Sequence, residues 1–176
     1  AGAFIAVGSM FFTLVMTGDS GLFGLHRLAG GMAFSLGLVL VVIGGAELFT
    51  GNNLIVMAWA DRKIGTMGLL RNWIVVYLGN FVGALGCAVL VKYAGVMALS
   101  GGAVGETAVA IAKAKISLPY LEAFVRGLLC NALVCLAVWM SFAAHSVTGK
   151  ILAVVFPVAA FVALGQLSPA LGQTKG

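Results

Sequence analysis

Residues 36–58, LGLVLVVIGGAELFTGNNLIVMA, decide the fold. Leu36 through Ile43 form an unbroken apolar run, and Leu54 through Ala58 resume it. Between them stand Gly44, Gly45, Glu47, Thr50, Gly51, Asn52 and Asn53. The segment reads as a membrane span broken in the middle. Non-helical backbone at membrane depth persists only where protein or a water-filled cavity satisfies its polar groups. A discontinuous span is therefore a pointer to a transport pathway. Glu47 strengthens the point, since a carboxylate near a bilayer centre costs about 2.5–3.5 kcal/mol on insertion scales and demands a partner or a cavity.

The whole chain has the composition that such a span needs. Its 176 residues are 62% hydrophobic and 9% charged, with a mean hydropathy of +1.14. Soluble domains are about 25% charged, so this is an integral membrane protein, and its 25 glycines suit close helix–helix contact in lipid. The net charge of +5 comes from scattered basic residues that form no stripe, which argues against nucleic-acid binding. Cys87, Cys130 and Cys135 lie in apolar stretches, are odd in number and form no CxxC, so they read as small buried hydrophobes. No Ser/His/Asp or Cys/His constellation and no phosphate-binding glycine motif is present, so neither an enzyme nor an ATP-driven pump is indicated, and no cofactor or metal is expected. His26 and His145 are separated by three spans, which rules out a shared haem; both read as surface histidines.

About 20 apolar residues cross a bilayer as a helix. Span one is read at 1–17, AGAFIAVGSMFFTLVM and the following threonine, apolar from its first residue and without the basic region of a signal peptide. The reading is of a first span that has lost its beginning. It ends at the turn-rich TGDSG of 17–21. The broken span two covers 28–59, span three 71–98, span four 119–143 with Pro119 at its start, and span five 151–165 with Pro157 inside. The connection 99–118 carries Glu106, Lys113 and Lys115, and its second half suits a short surface helix. Gly79 and Gly83 make a GxxxG pair. Residues 166–176 form a divergent polar tail beyond a transmembrane domain of 1–165. Arg62, Lys63, Arg71 and Lys150 lie on one side, with Arg27, Lys92, Lys113, Lys115 and Arg126 on or nearer the other, so the positive-inside rule does not fix orientation.

The polar residues of the break admit two uses each. Glu47 either lines the pathway or orders the loop through hydrogen bonds, and a negative charge would repel an anion, which favours the ordering role. Thr50, Asn52 and Asn53 either present donors to an anion or cap the half-helix that resumes at Leu54. Asn131, polar within an apolar run, either bonds to a neighbouring helix or faces the permeant. Phe34 and Leu38 share a helix face, and spacing alone favours packing or lipid contact for them. Lys113 and Lys115 read either as solvated loop charges or as a funnel for anions.

Four stretches carry a family resemblance. GGMAFSLGLVLVVIGGAELFTGNNLIVMAWADRKI (30–64) resembles the second span and following loop of the formate/nitrite transporter family, and RNWIVVYLGNFVGALGC (71–87) its third span. LLCNALVCLAVWM (128–140) resembles its fourth, and KILAVVFPVAAFVALG (150–165) the first half of its fifth. The resemblance implies an all-α, aquaporin-like bundle of six spans built from two inverted halves. It implies a homopentamer with one pore per protomer, conducting small monovalent anions such as formate, nitrite or hydrosulfide, often with a proton. Carried over by position, Leu48, Phe49 and Thr50 match the gating loop, Phe34 and Leu38 the apolar residues that narrow the pore, Lys115 a vestibule lysine, and Asn131 a pore-facing asparagine. Family topology places the 61–71 loop and the 143–150 turn in the cytoplasm.

The match stops at Gly165. The family continues there with an aromatic residue and Glu-His-Ser-Ile-Ala-Asn, whose histidine is the proposed proton donor. Here Gln166-Leu167-Ser168-Pro169-Ala170 follows, with Ser168 at the histidine's place. The expectation is a member lacking the second half of span five and all of span six. Transport would then be weak or dependent on a second polypeptide, or the chain would be a non-transporting fragment of a disrupted transporter. A neutral-solute pore of the aquaporin type is the further alternative, although its Asn-Pro-Ala loops are absent.

Overall fold

The computed structural model describes residues 1–18 and 21–163. These residues form helices and turns, in the order α1 (Gly2–Val15), α2 (Phe23–Ile43), α3 (Phe49–Asn52), a 3-10 turn (Asn53–Ile55), α4 (Val56–Ala60) and α5 (Thr66–Tyr93). A second 3-10 segment (Val96–Gly102), α6 (Ala103–Ile116), α7 (Tyr120–Ala143) and α8 (Val147–Ala163) follow. Helices α2, α5 and α7 are long and apolar enough to cross a membrane, and so is Val96–Ile116 taken as one element. The all-α membrane bundle read from the sequence is thus the observed fold, with edges shifted. Span two begins at Phe23 rather than at 28, span three at Thr66 rather than at 71, and span five at Val147 rather than at 151. The connection 99–118 is helical over Ala103–Ile116, longer than the short surface helix expected there.

α2 lies at the centre, packed on α1 at one side and on α8 at the other, while α7 packs on α8 and α5 on α1. Glycine makes the two central crossings possible. A Cβ at Gly8 of α1 would sit 2.8 Å from the backbone nitrogen of Gly37 in α2. One at Gly31 of α2 would sit 2.8 Å from the Cα of Ala159 in α8. With backbones this close, dispersion contacts take the place of the hydrophobic driving force that lipid does not supply. Of the GxxxG pair, only Gly83 meets another helix, at the Ala3 nitrogen of α1; Gly79 faces open space.

The core thus formed collects Phe12 and Met16 from α1, Phe34, Leu38 and Val41 from α2, Ala137 from α7, and Val154, Val158, Phe161 and Val162 from α8. The outward faces of α5 and α7 are lined with exposed apolar side chains, among them Val75, Leu78, Val82, Leu128 and Trp139, as befits surfaces that meet lipid or other helices. The cysteines, expected to be buried, are half-buried and free. His145 is exposed, but His26 is not the plain surface histidine expected: it is half-buried, with Nε2 2.7 Å from the carbonyl of Val15 in the last turn of α1.

The glycine crossings yield a test. Gly31→Val should destabilise the bundle by about 1–3 kcal/mol, the usual range for overpacking, whereas Gly79→Ala should leave thermal unfolding in detergent unchanged. Equal melting behaviour for Gly31→Val and the parent would contradict the crossing described.

Candidate functional site: the break in span two

The break starts with a helix stop built from two glycines. Gly44 closes α2 with its N–H on the Leu40 carbonyl, and Gly45 takes φ +66°, a left-handed conformation that glycine adopts without a Cβ penalty. The next amide, Ala46, then donates back to Val41 O at 3.0 Å. This six-to-one bond is the Schellman pattern. It satisfies the Val41 carbonyl, which would otherwise be left bare. Leu48 is extended, α3 makes a single turn, and the chain regains helix only through the 3-10 turn and α4.

Helix α5 braces the unwound stretch. The Asn80 amide donates to the Glu47 carbonyl at 2.9 Å and accepts from the Phe49 N–H at 3.4 Å. Two turns earlier, Asn72 accepts from Asn52 Nδ2 at 3.0 Å and donates to Glu47 Oε2 at 3.3 Å. Asn52 Nδ2 also reaches Glu47 Oε2 at 2.8 Å, and the Trp73 indole donates to Asn52 O at 3.0 Å. Glu47 therefore accepts from two amides and lies exposed on the rim of a cavity of about 640 Å³ shared with Arg71, Asn72 and Asn80. Capping by Thr50, Asn52 or Asn53 does not occur: no side chain caps α3, the 3-10 turn or α4. Asn52 instead spends its amide on the brace, where it helps hold a carboxylate.

Leu48, Phe49 and Thr50, the three residues expected to form a gate, part ways. Leu48 packs toward the core and lines a largely apolar cavity of about 470 Å³ with Ser9, Thr13, Asn80 and Cys87. Phe49 sets its ring edge-on to Tyr77 of α5, with centroids 5.4 Å apart. Thr50 meets α7, where the Cys135 thiol approaches its carbonyl at 3.3 Å and Asn131 Oδ1 at 3.1 Å. Nearby Gly51 faces Val138. The break is thus held between α5 and α7.

Phe34 and Leu38 lie inside the core, 8% and 2% exposed. Phe34 makes an edge contact with Phe12 and a tilted one with Phe161, both with centroids 6.4 Å apart. Reading the sequence missed Phe161, the α8 counterpart of Phe34. At the other end of α7, Lys115 projects from the last turn of α6 and is exposed. It lies within electrostatic reach of Arg126, which in turn is within reach of Arg27. Arg126 is ion-paired with Glu122 one turn earlier, and Arg27 donates to Val162 O at 3.2 Å beneath the Phe23 ring. Three helices thus bring three cations together, two of which the sequence offered only as topology charges. Lys113 lines a separate cavity with Glu106. Ser168, at the place of the family histidine, lies outside the described residues.

A bundle of apolar helices with a braced interruption in one span has the architecture of a membrane channel or transporter rather than of a soluble binding module. The comparisons specify which. Residues 1–166 match the formate/nitrite transporter family, and the chain belongs to that family. It is 45% identical over 166 residues to the formate channel FocA of Haemophilus influenzae, covering 94% of this chain and 58% of that one. It is 42% identical to FocA of Escherichia coli strain K12 over the same shares. A solved pentameric formate channel with formate bound superposes with a TM-score of 0.84 at 42% identity, covering 93% of this chain and 65% of that chain. The chain spans about 58% of the length of these curated relatives.

The brace predicts a local effect. Asn80→Ala removes two hydrogen bonds worth about 0.5–1.5 kcal/mol each, so amide exchange at Leu48 through Asn52 should quicken by roughly tenfold or more, with the core of α2 unaffected. Unchanged exchange there would show that α5 does not hold the break.

Proposed function

We propose that the chain acts as a membrane channel or transporter for small monovalent anions, with formate or nitrite as the permeant, hydrosulfide as a further candidate, and protons accompanying them. The observation that carries this reading is the break itself. Asn80 pairs with its backbone on both sides of Leu48, yet the Thr50 hydroxyl bonds to no described residue. The family membership and the formate channels among the relatives support the choice of permeant. The protein works as a pathway and not as an enzyme, within a homopentamer in a bacterial inner membrane. Residues 1–165 make up the transport domain, apart from the tail of 166–176.

The physics of the path runs as follows. Lys115, with Arg126 and Arg27 behind it, raises the local concentration of anions at one mouth. The aromatic cluster of Phe12, Phe34 and Phe161 with Leu38 then offers no polar group, and a bare charge pays heavily to enter such a region. A weak acid escapes that cost by taking a proton, because desolvation favours the neutral form. Formate crosses the apolar stretch as formic acid, and nitrite as nitrous acid. On the far side Leu48 and Phe49 close the apolar section, and Thr50 and Asn131 offer hydrogen-bond donors. Glu47 stays with its amide partners and orders the loop.

Flux of labelled formate, nitrite and hydrosulfide into liposomes holding the chain tests this. Lys115→Ala should lower initial formate uptake several-fold at low ionic strength, and the difference should shrink above about 0.1 M salt, where the screening length falls to about 10 Å. Swelling with water or glycerol in the absence of any anion flux would overturn the reading in favour of a neutral-solute pore.

A further inference from the structure

Glu47 and Asn52 satisfy one another together with Asn72, but other donors beside the break do not take part. The Thr50 hydroxyl bonds to no described residue, and neither does the Nδ2 of Asn131. The two residues that carry them are joined by one atom. Cys135 Sγ lies 3.3 Å from Thr50 O and 3.1 Å from Asn131 Oδ1, half-buried where α3 packs on α7. A thiol has a single weak donor proton, so it serves these two acceptors in turn. On the Thr50 side it engages the main chain and leaves the side-chain hydroxyl out of the contact. On the Asn131 side it engages the amide oxygen, which directs the NH2 of the same amide away from the thiol. Packing alone explains neither pattern, since an apolar residue of cysteine's size would fill the space without turning the amide.

We propose that Cys135 is a positioning residue of the gate: its thiol fixes the Thr50 peptide against the Asn131 amide, and so leaves the Thr50 hydroxyl and the Asn131 NH2 as the two donors offered to a small monovalent anion. The assignment rests on the reading of the break as an anion pathway. It makes the Cys135 proton, rather than its bulk, the relevant property, and it separates the cysteine from Cys87 and Cys130.

Two measurements test it. With Cys87 and Cys130 replaced by alanine, infrared spectroscopy of the chain in liposomes reads a single S–H stretch. The expected band lies below that of a free thiol in an apolar solvent, and Asn131→Ala moves it upward. In formate flux, Cys135→Ser keeps an O–H donor and should hold the half-saturating concentration within about twofold of the parent, while Cys135→Ala should raise it about fivefold, as for loss of one hydrogen bond, with a smaller fall in maximal rate. A band at the free-thiol position, unmoved by Asn131→Ala, would overturn the proposal, as would alanine and serine variants with equal half-saturation. A lowered band together with no formate or nitrite flux in the parent chain would remove the anion pathway and the role of the two donors with it, and leave the thiol tether as a structural contact.

Discussion

The structure depends on the way its second span stops. A helix cannot end at membrane depth unless its last carbonyls find donors. The Gly44–Gly45 pair supplies one from within the chain, by turning the backbone left-handed so that Ala46 bonds back to the Val41 carbonyl. Any side chain at Gly45 would pay for the positive φ. Once the helix has stopped, the following residues need partners of their own, and side chains of α5 answer much of that need. Asn80 brackets Leu48 from both sides, Asn72 and Asn52 converge on the Glu47 carboxylate, and Trp73 takes the Asn52 carbonyl. Glu47 is then the hub of a small amide network, which accounts for an acidic residue inside an otherwise apolar span.

The rest of the bundle keeps that interruption in register with a closed apolar core. Since lipid gives helices no hydrophobic reason to associate, the central α2 is held by backbone proximity, at Gly8 and Gly37 on the α1 side and at Gly31 and Ala159 on the α8 side. These contacts fix where Phe34 and Leu38 point. The same helix thereby delivers both Phe34 of the aromatic cluster and, nearly three turns further on, the glycine stop. The position of the break relative to the cluster is a consequence of helix pitch on a single rigid element.

Much of this was legible in the sequence, for identifiable reasons. Span existence follows from apolar run length, which the bilayer sets, and the break follows from glycine and polar residues inside such a run. Edges were less legible. Phe23 to Arg27 and Thr66 to Leu70 mix polar and apolar residues, and helix can extend through interface regions where hydropathy has already faded. The brace escaped reading because Asn72 and Asn80 were seen only as parts of a family-like stretch. Their spacing of eight places them on one face of α5, and two asparagines on one face of an otherwise apolar span were the signal available. The expected capping by Thr50 and Asn52 failed for a related reason: capping preferences describe a helix start in water, whereas here a carboxylate and a facing helix compete for the same amides and win. Phe161 was invisible because a phenylalanine in an apolar helix carries no mark of which neighbour it meets.

On the anion-pathway reading proposed above, the arrangement along α7 explains how a short path would treat a charged solute. Cys130, close to Lys115, and Cys135, which touches Thr50 O, are five residues apart, about 7.5 Å of helical rise. The α7 neighbours of Lys115 and of Thr50 are thus about one and a half turns apart, with the Phe12–Phe34–Phe161 cluster packed in the same helix bundle between α1 and α8. A long apolar path would make entry of an anion prohibitive even as the neutral acid's parent, since the proton must be acquired before the charge is desolvated. A short one needs the solute to be neutral only briefly. Cations at the mouth favour the charged form and donors at the break receive it, so the dry stretch alone selects for protonation. On that reading, selectivity for weak acids requires no binding site of high affinity, only that the apolar stretch be too dry for a permanent anion and too short to trap a neutral one.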